Sequence, residues 1–492
     1  MPLPCVLHSF LAHPLSTELT ESMARSDGSN LEAEWCLIFG FFSRRDMKSK
    51  EQDFTQGSVI KHLVQFGLPL FAANVMQYCY QAADMIVVGQ VMGNNGLVAI
   101  SNASMISFCV SSFAIGMTGG GTVALALCKG SGDREGQRLA SAAVLMLSAL
   151  CALLVAVLGF LFATPLFAAL GVPGPSLADA AAYTVIVCGG SVFTFGYNAA
   201  CALMKGLGNS RAPLVFIAIA SAINIALDIA FVWGFGWGVA GAAWATVIAQ
   251  AVSCVLSLGY LMKAYPEARP CVRPYGALKH SMTAVLRVGV PSSAQMVVVN
   301  VSYLLVTGML NAFGTDVAAA SGIGLKISTF AGLPCWAIGQ AVMAMTGQNA
   351  GARKTERLRA VVKASCIVSV SVIALIAVAT QVFAYDLAMA FGAASEKAID
   401  VTVLYLRITC SINSVFYALM YCFDSFALGS GAPNLALLNA LLDAMAIRFG
   451  LAWLLGYACG LGFIGIYLAQ ALSPILPVVI GWAYYRWGSW RL

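Results

Sequence analysis

The sequence predicts an all-α polytopic membrane protein: twelve transmembrane helices, as two six-helix bundles related by a parallel internal repeat. Three observations predict it. The 492 residues are 60% hydrophobic and only 10% charged, with a mean hydropathy of +0.83, whereas a soluble domain carries about 25% charged residues. Apolar runs of about 20 residues recur, each long enough to cross a bilayer as a helix. Similar segments return in the same order in both halves, at offsets between 219 and 224 residues. In lipid every backbone N–H and C=O must be paired internally, so the runs should be helices. The ten-residue alternating segments of an outer-membrane barrel are absent.

The chain divides into an N-terminal extension (1–56), a first six-helix bundle (57–265), a cytoplasmic linker (266–282) and a second bundle (283–492). Residues 1–46 are polar and unpatterned except for WCLIFGFF at 35–42, and eight apolar residues cannot span a bilayer. No basic residue precedes Arg25, so the segment lacks the basic start of a signal peptide. Met47 begins a plausible short lead into the first span, and we expect translation to start there, with 1–46 not native; N-terminal sequencing of the natively expressed protein decides this.

The spans are expected at 62–90, 97–119, 139–163, 180–204, 213–234 and 238–262 in the first half. In the second they fall at 283–311, 317–346, 360–384, 398–426, 433–457 and 462–486. Turn residues join them: GVPGPS at 171–176, GFGWG at 234–238, NAFGT at 311–315 and GSGAP at 429–433. Lys and Arg concentrate in one set of connectors, from Lys129, Arg134 and Arg138 to Arg353, Lys354, Arg357, Arg359 and Lys363. The opposite set holds Lys397 and little else. Basic loops stay cytoplasmic, so both termini are expected in the cytoplasm and the protein in the plasma (inner) membrane. The net charge of +6 reflects this bias and gives no reason to expect a nucleic-acid partner.

The repeat is carried by four echoes: LVQFGLPLFAANV (63–75) with VLRVGVPSSAQMV (285–297), ALCKGSGDREGQRL with MTGQNAGARKTERL, MKGLGNSRAP with ALGSGAP, and GWGVAGAAWATVIAQ with GLGFIGIYLAQALSP. Six spans per half give both copies the same orientation. Such parallel repeats are related by an axis along the membrane normal, with binding sites near the midplane.

Within this apolar frame a few polar side chains stand out. The first span carries Asn74, Gln77, Gln81 and Asp84, spaced 3, 4 and 3 along one helical face. Pro69 sits one turn earlier and is expected to bend the helix there. The fifth span carries Asn224 and Asp228, four apart, and the sixth Thr246 and Gln250. A carboxylate at membrane depth costs about 3 kcal/mol or more and usually marks an ion or substrate path. The cluster supplies carboxylate, amide and hydroxyl oxygens, the ligands of hard cations, and neighbouring carboxylates raise one another's proton affinity. It therefore suits Na⁺ or H⁺. The structural alternative is interhelical hydrogen bonding, which fits Gln250 better than Asn224.

The second half is polar in a different way. Gln295 and Asn300 lie on the seventh span, Lys326 on the eighth, and Asn413, Tyr417, Tyr421 and Asp424 along one face of the tenth, with Arg407 nearer its start. Asp443 and Arg448 on the eleventh can pair, a structural role. Asp424 lies near the expected cytoplasmic end, which favours a structural or gating role. Substrate-cavity candidates are Asn74, Gln77, Gln81, Gln250, Gln295, Asn300, Asn413 and Tyr417.

The fifteen cysteines are scattered without a CxxC pair, and the four histidines lie outside the membrane or at its edge. No disulfide framework, no cofactor and no metal site beyond Na⁺ at the acidic cluster is expected. GSGDREG and GLGNS lack the phosphate-loop pattern, and no nucleophile–base set occurs at matched depth, so an enzyme is not expected.

The run from FGLP to ADMIVVGQVMG, the loop KGSGDREGQRL, the turn KGLGNSRAP and the run GVAGAAWAT resemble the multidrug and toxic compound extrusion (MATE) family over residues 57–490. The resemblance implies a secondary antiporter that exports organic, often cationic, drugs or metabolites in exchange for H⁺ or Na⁺ by alternating access. It implies small-molecule substrates; the lipid bilayer is the other partner expected, with no obligatory protein partner and a monomer as the default. In the DinF-like branch the ion site lies in the first half, and its residues correspond to Asp84, Asn224, Asp228 and Thr246. Another branch places acids on spans 7 and 10, where this chain has Gln295 and Tyr417, which argues against a second-half cation site. The alternative within the superfamily is a lipid-linked saccharide flippase; Lys326 and Arg407 are the residues that would speak for it.

Overall fold

The structure, a computed structural model, describes residues 51–169, 172, 174–392 and 395–490. The proposed start at Met47 and the 35–42 apolar run lie outside the described residues. The twelve expected spans are matched one for one. In the first half they are α1 (Val59–Gly93), α2 (Val98–Ser131), α3 (Arg134–Ala169), the pair α4 (Gly174–Gly189) and α5 (Ser191–Gly206), α6 (Arg211–Gly234) and α7 (Gly238–Ala264). In the second they are α8 (Tyr275–Asn311), α9 (Thr315–Gly351), α10 (Thr355–Val382), the pair α12 (Glu396–Thr409) and α13 (Ile412–Gly429), α14 (Pro433–Ala458) and α15 (Gly462–Trp487). A short α11 (Ala384–Ala390) precedes α12. By length and composition ten of these helices can each cross a membrane, and twelve spans result if each bent pair counts as one. Large apolar side chains such as Leu153, Phe160, Leu375 and Val378 on α3 and α10 are exposed, as suits a lipid-facing surface, since hydrocarbon takes the place of water there.

The repeat predicted from sequence returns as geometry. α4 and α5 meet at 49° around Gly190, and α12 and α13 meet at 50° around Cys410 and Ser411. The two breaks sit one repeat apart. Breaking a helix in lipid frees carbonyls that must find donors. In the second half Gln381 supplies them, its Nε2 donating to Leu406 O (3.0 Å) and Cys410 O (2.9 Å). Neither bend contains a proline, so the local sequence does not mark it. α6 and α14 likewise share a feature: each widens into π-helix, at Ile229–Gly234 and at Leu442–Leu451. Such bulges gather at functional sites, and here they adjoin Asp228 and contain Arg448.

α1 keeps helical backbone angles through Pro69; its non-helical residue is Gly93 (φ 60°), where only a residue without a β-carbon adopts that angle freely. The helix changes partners along its length. Leu63, Phe66 and Leu70 pack with Ala337, Ile338, Ala341 and Met345 of α9 in the second half. Beyond the middle, Tyr80 joins Ile217 and Ala220 of α6, and Val88 joins Tyr183, Val239 and Ala243. α8 does the converse, with Leu286 against Met117 and Phe195 and with Val306 and Leu310 against Ile466 and Tyr467.

The halves touch backbone to backbone from the middle of the helices to the side of the basic connectors. A β-carbon added at Gly116 on α2 would fall 2.5 Å from Ser293 Cα on α8, and one at Gly130 would fall 1.9 Å from Gln348 O on α9. Small residues let helices approach this closely, the usual device for helix pairs in lipid. Residues 52–57 seal the same end. Phe54 is fully buried, edge-on to Phe66 at 5.0 Å. Arg357 donates to the carbonyls of Phe54, Gln56 and Gly57 at 2.8, 2.9 and 3.0 Å.

Candidate functional site: a buried acidic pair beside a central cavity

The structure brings Asp84 and Asp228 together, their carboxyls facing each other between α1 and α6. Both are buried, at 6% and 0% exposure, and Asn224, one turn before Asp228, is at 2%. Two tyrosines join them. Tyr183 of α4 lies against Thr246 and Asp84, and Tyr80 lies against Gln81, Gln250 and Asp84. Thr246 spends its own proton on Ala242 O at 3.0 Å, which leaves its oxygen free to accept.

Many of these atoms have no partner. Asp84 Oδ1, both oxygens of Asp228, both amide atoms of Asn224, Gln250 Oε1 and Asn74 Nδ2 are buried and make no hydrogen bond. Buried polar atoms are nearly always paired in folded proteins. A cluster with a surplus of acceptors is short of protons or of a cation. Two facing carboxylates impose the same demand, because like charges at this range cannot both persist without a counter-charge or a shared proton.

Beside this pocket, between the halves, lies a cavity of about 590 Å³. Of the residues expected to line it, Gln81, Asn300, Asn413 and Tyr417 do. Asn300 reaches across to the other half, its Nδ2 donating to Ser112 Oγ at 3.1 Å. Asn74, Gln77, Gln250 and Gln295 are half-buried and lie outside the lining, with Gln250 in the acidic pocket instead. Gln81 thus faces the cavity while Asp84, one turn on, faces the first half.

Lys326 and Arg407 are exposed and do not line the cavity. Asp443 and Arg448 form the expected pair, Nη2 to Oδ2 at 2.7 Å, and Asp424 accepts from Asn439 Nδ2 at 2.6 Å. Sequence reading missed Tyr80, Tyr183 and the placing of Arg448 on the cavity wall. Tyr80 stands one turn before Asp84 and Tyr183 is the one aromatic residue in the run AAAYTVIV. That spacing and that isolation were the available signals.

Twelve spans in two parallel repeats, with a central cavity and a buried polar pocket beside it, define a polytopic α-helical membrane transporter. The sequence profile of the family described as MatE matches residues 69–230 and again 291–454, once in each half, and the chain belongs to that family. Among relatives, the Bacillus subtilis protein named probable multidrug resistance protein YpnP is 28% identical over 451 residues, covering 90% of this chain and 98% of its own. The Thermotoga maritima protein named probable multidrug resistance protein NorM is 22% identical, covering 88% and 93%. A solved structure titled as the outward-facing conformation of a multidrug resistance MATE family transporter shares the fold with a TM-score of 0.82, at 21% identity, covering 88% of this chain and 96% of that one.

Proposed function

We propose that this protein is a secondary antiporter that exports organic drugs or metabolites across the plasma membrane in exchange for H⁺ or Na⁺, with both termini cytoplasmic. The relatives named as multidrug resistance proteins support the export of small molecules. The observation that carries the coupling is the unpartnered Asp84–Asp228 pair, with Asn224 and Thr246, one helical turn from a cavity-lining residue of the same helix.

The mechanism follows from α1. Occupation of the pair by H⁺ or Na⁺ removes the cost of the bare carboxylates and changes how the far part of α1 packs on α6 and α7. Gln81 and Tyr78 on that helix face the cavity, so ion and substrate act on one element. Coupling then needs only that each binds the two packings with different affinity. The near part of α1 packs on α9, so a bend at Pro69 would let the far part move while the near part stays seated. With the basic connectors in the cytoplasm, the cavity of this conformer lies toward the opposite side.

A lipid-linked saccharide flippase would need several cations in the cavity to meet a pyrophosphate. Among the described residues the lining offers one, already paired with Asp443, and that reading is not favoured.

The test is efflux of a fluorescent organic substrate from everted vesicles under an imposed H⁺ or Na⁺ gradient, comparing wild type with Asp84→Asn and Asp228→Asn. Gradient-driven efflux should be lost in both variants at normal membrane levels, and the effective gradient names the ion. Wild-type rates from Asp84→Asn would overturn the assignment.

A further inference from the structure

Arg448 is the only charged side chain among the described residues that line the central cavity. It is 4% exposed. A guanidinium carries five N–H donors in a planar fork. Here Nη2 donates to Asp443 Oδ2 at 2.7 Å, while Nε and Nη1 are buried without a partner. The cation also sits over the Tyr303 ring, 4.3 Å from its centre. Leaving charged donors buried and unsatisfied is costly, and a purely structural ion pair would be expected to use the fork in full. Tyr417 and Tyr421 stand nearby on the same wall, rings 4.8 Å apart.

The internal repeat adds a second observation. Arg448 follows Asp228 by 220 residues, the offset that also relates Pro433 to Pro213. Both positions adjoin or lie in the π-helical stretch of their helix. The position that holds an anion in the first half holds a cation in the second.

We propose that Arg448 is an anion-recognising residue of the substrate site, whose free N–H groups take the carboxylate of a flat aromatic compound stacked among Tyr303, Tyr417 and Tyr421. An unused N–H of the guanidinium would give one carboxylate oxygen a charge-assisted hydrogen bond. Asp443 already neutralises the guanidinium, so a monoanion suits the site better than a doubly charged phosphate, which would leave excess negative charge in a low-dielectric wall. A cavity of about 590 Å³ holds a drug-sized ligand. This rests on the export reading for its biological meaning, but the binding chemistry stands on the cavity alone.

Equilibrium binding tests it without transport. Isothermal titration of the full-length protein in detergent would compare 2-naphthoate with 2-naphthamide, a neutral compound of nearly the same shape. Wild type should prefer the carboxylate by about tenfold or more, as expected for a hydrogen-bonded charge. The double variant Asp443→Asn/Arg448→Gln, which leaves no lone buried charge, should bind both equally, and Arg448→Lys should keep part of the preference. Equal affinities in wild type, absence of binding by both, or an unchanged preference in the double variant would overturn the proposal. If the double variant does not fold, the wild-type pair and Arg448→Lys still decide. Carboxylate preference without gradient-driven efflux would sink the antiport reading and leave this one standing; gradient-driven efflux without the preference would do the reverse.

Discussion

Gln348 on α9 joins the two halves of the protein through one side chain. Its Nε2 donates to Gly206 O at the end of α5, 2.9 Å away, while its Oε1 accepts from Phe54 N at 3.2 Å. It is fully buried. The bond crosses the side of the basic connectors, where the halves meet and the cavity ends. Asn349 beside it donates to Phe54 O at 3.1 Å, so residues 52–57 are held by the same turn of α9.

Gln348→Ala should weaken closure at that end. Leaving Gly206 O and Phe54 N unpaired costs about 1–3 kcal/mol for each buried group, enough to move a two-state population roughly tenfold or more. Spin labels on Ser131 and Glu356, at the basic-connector ends of α2 and α10, would report it as a longer inter-label distance in a larger fraction of molecules. An unchanged distance distribution would show that the link does not contribute to closure.

Gly130→Ala should act on the same closure by sterics. Its β-carbon would fall 1.9 Å from the Gln348 carbonyl oxygen, a backbone atom that cannot swing away. Overpacking of this kind costs about 1–3 kcal/mol. The expected result is the same lengthening between the labels, together with reduced efflux. Gly132→Ala is not an equivalent control, because Gly132 has φ 73°; Gly119→Ala is, since nothing lies within 4 Å of the new carbon.

Phe54→Ala should lower thermal stability in detergent. The ring is fully buried against Phe66, Leu63 and Met345, and removing a buried phenyl costs about 3–5 kcal/mol. The measurement is the melting temperature of the solubilised protein. A shift within error would mean that residues 52–57 detach without consequence.

Asp424 should behave as a structural residue. Asp424→Ala removes the acceptor of Asn439 Nδ2 and leaves a buried amide unpaired, at about 1–3 kcal/mol, while Asp424→Asn preserves the shape. Efflux by correctly inserted Asp424→Asn should stay close to wild type, in contrast to Asp84→Asn. Loss of gradient-driven efflux with intact folding would move Asp424 into the coupling machinery.

The sequence by itself determined the helices. All twelve spans were legible because hydrophobic length and helical continuity are local properties, set by the bilayer's thickness and the need to pair every backbone group. The repeat was legible for the same reason, as was the Asp443–Arg448 pair, five residues apart on one helix. Tertiary structure decided the directions. Helical spacing put Gln81 and Asp84 on one face, but which neighbour each meets depends on where α2, α6 and α8 stand; the two residues turn out to face different pockets. The bends near Gly190 and Cys410 carried no proline and rest on donors from elsewhere, Gln381 in the second case. Arg448 read as half of a salt bridge. Only the packing of α14 beside α8 put Arg448 on the cavity wall, over the Tyr303 ring. A side chain's chemistry is written along the chain, but what it faces is set by contacts between segments hundreds of residues apart.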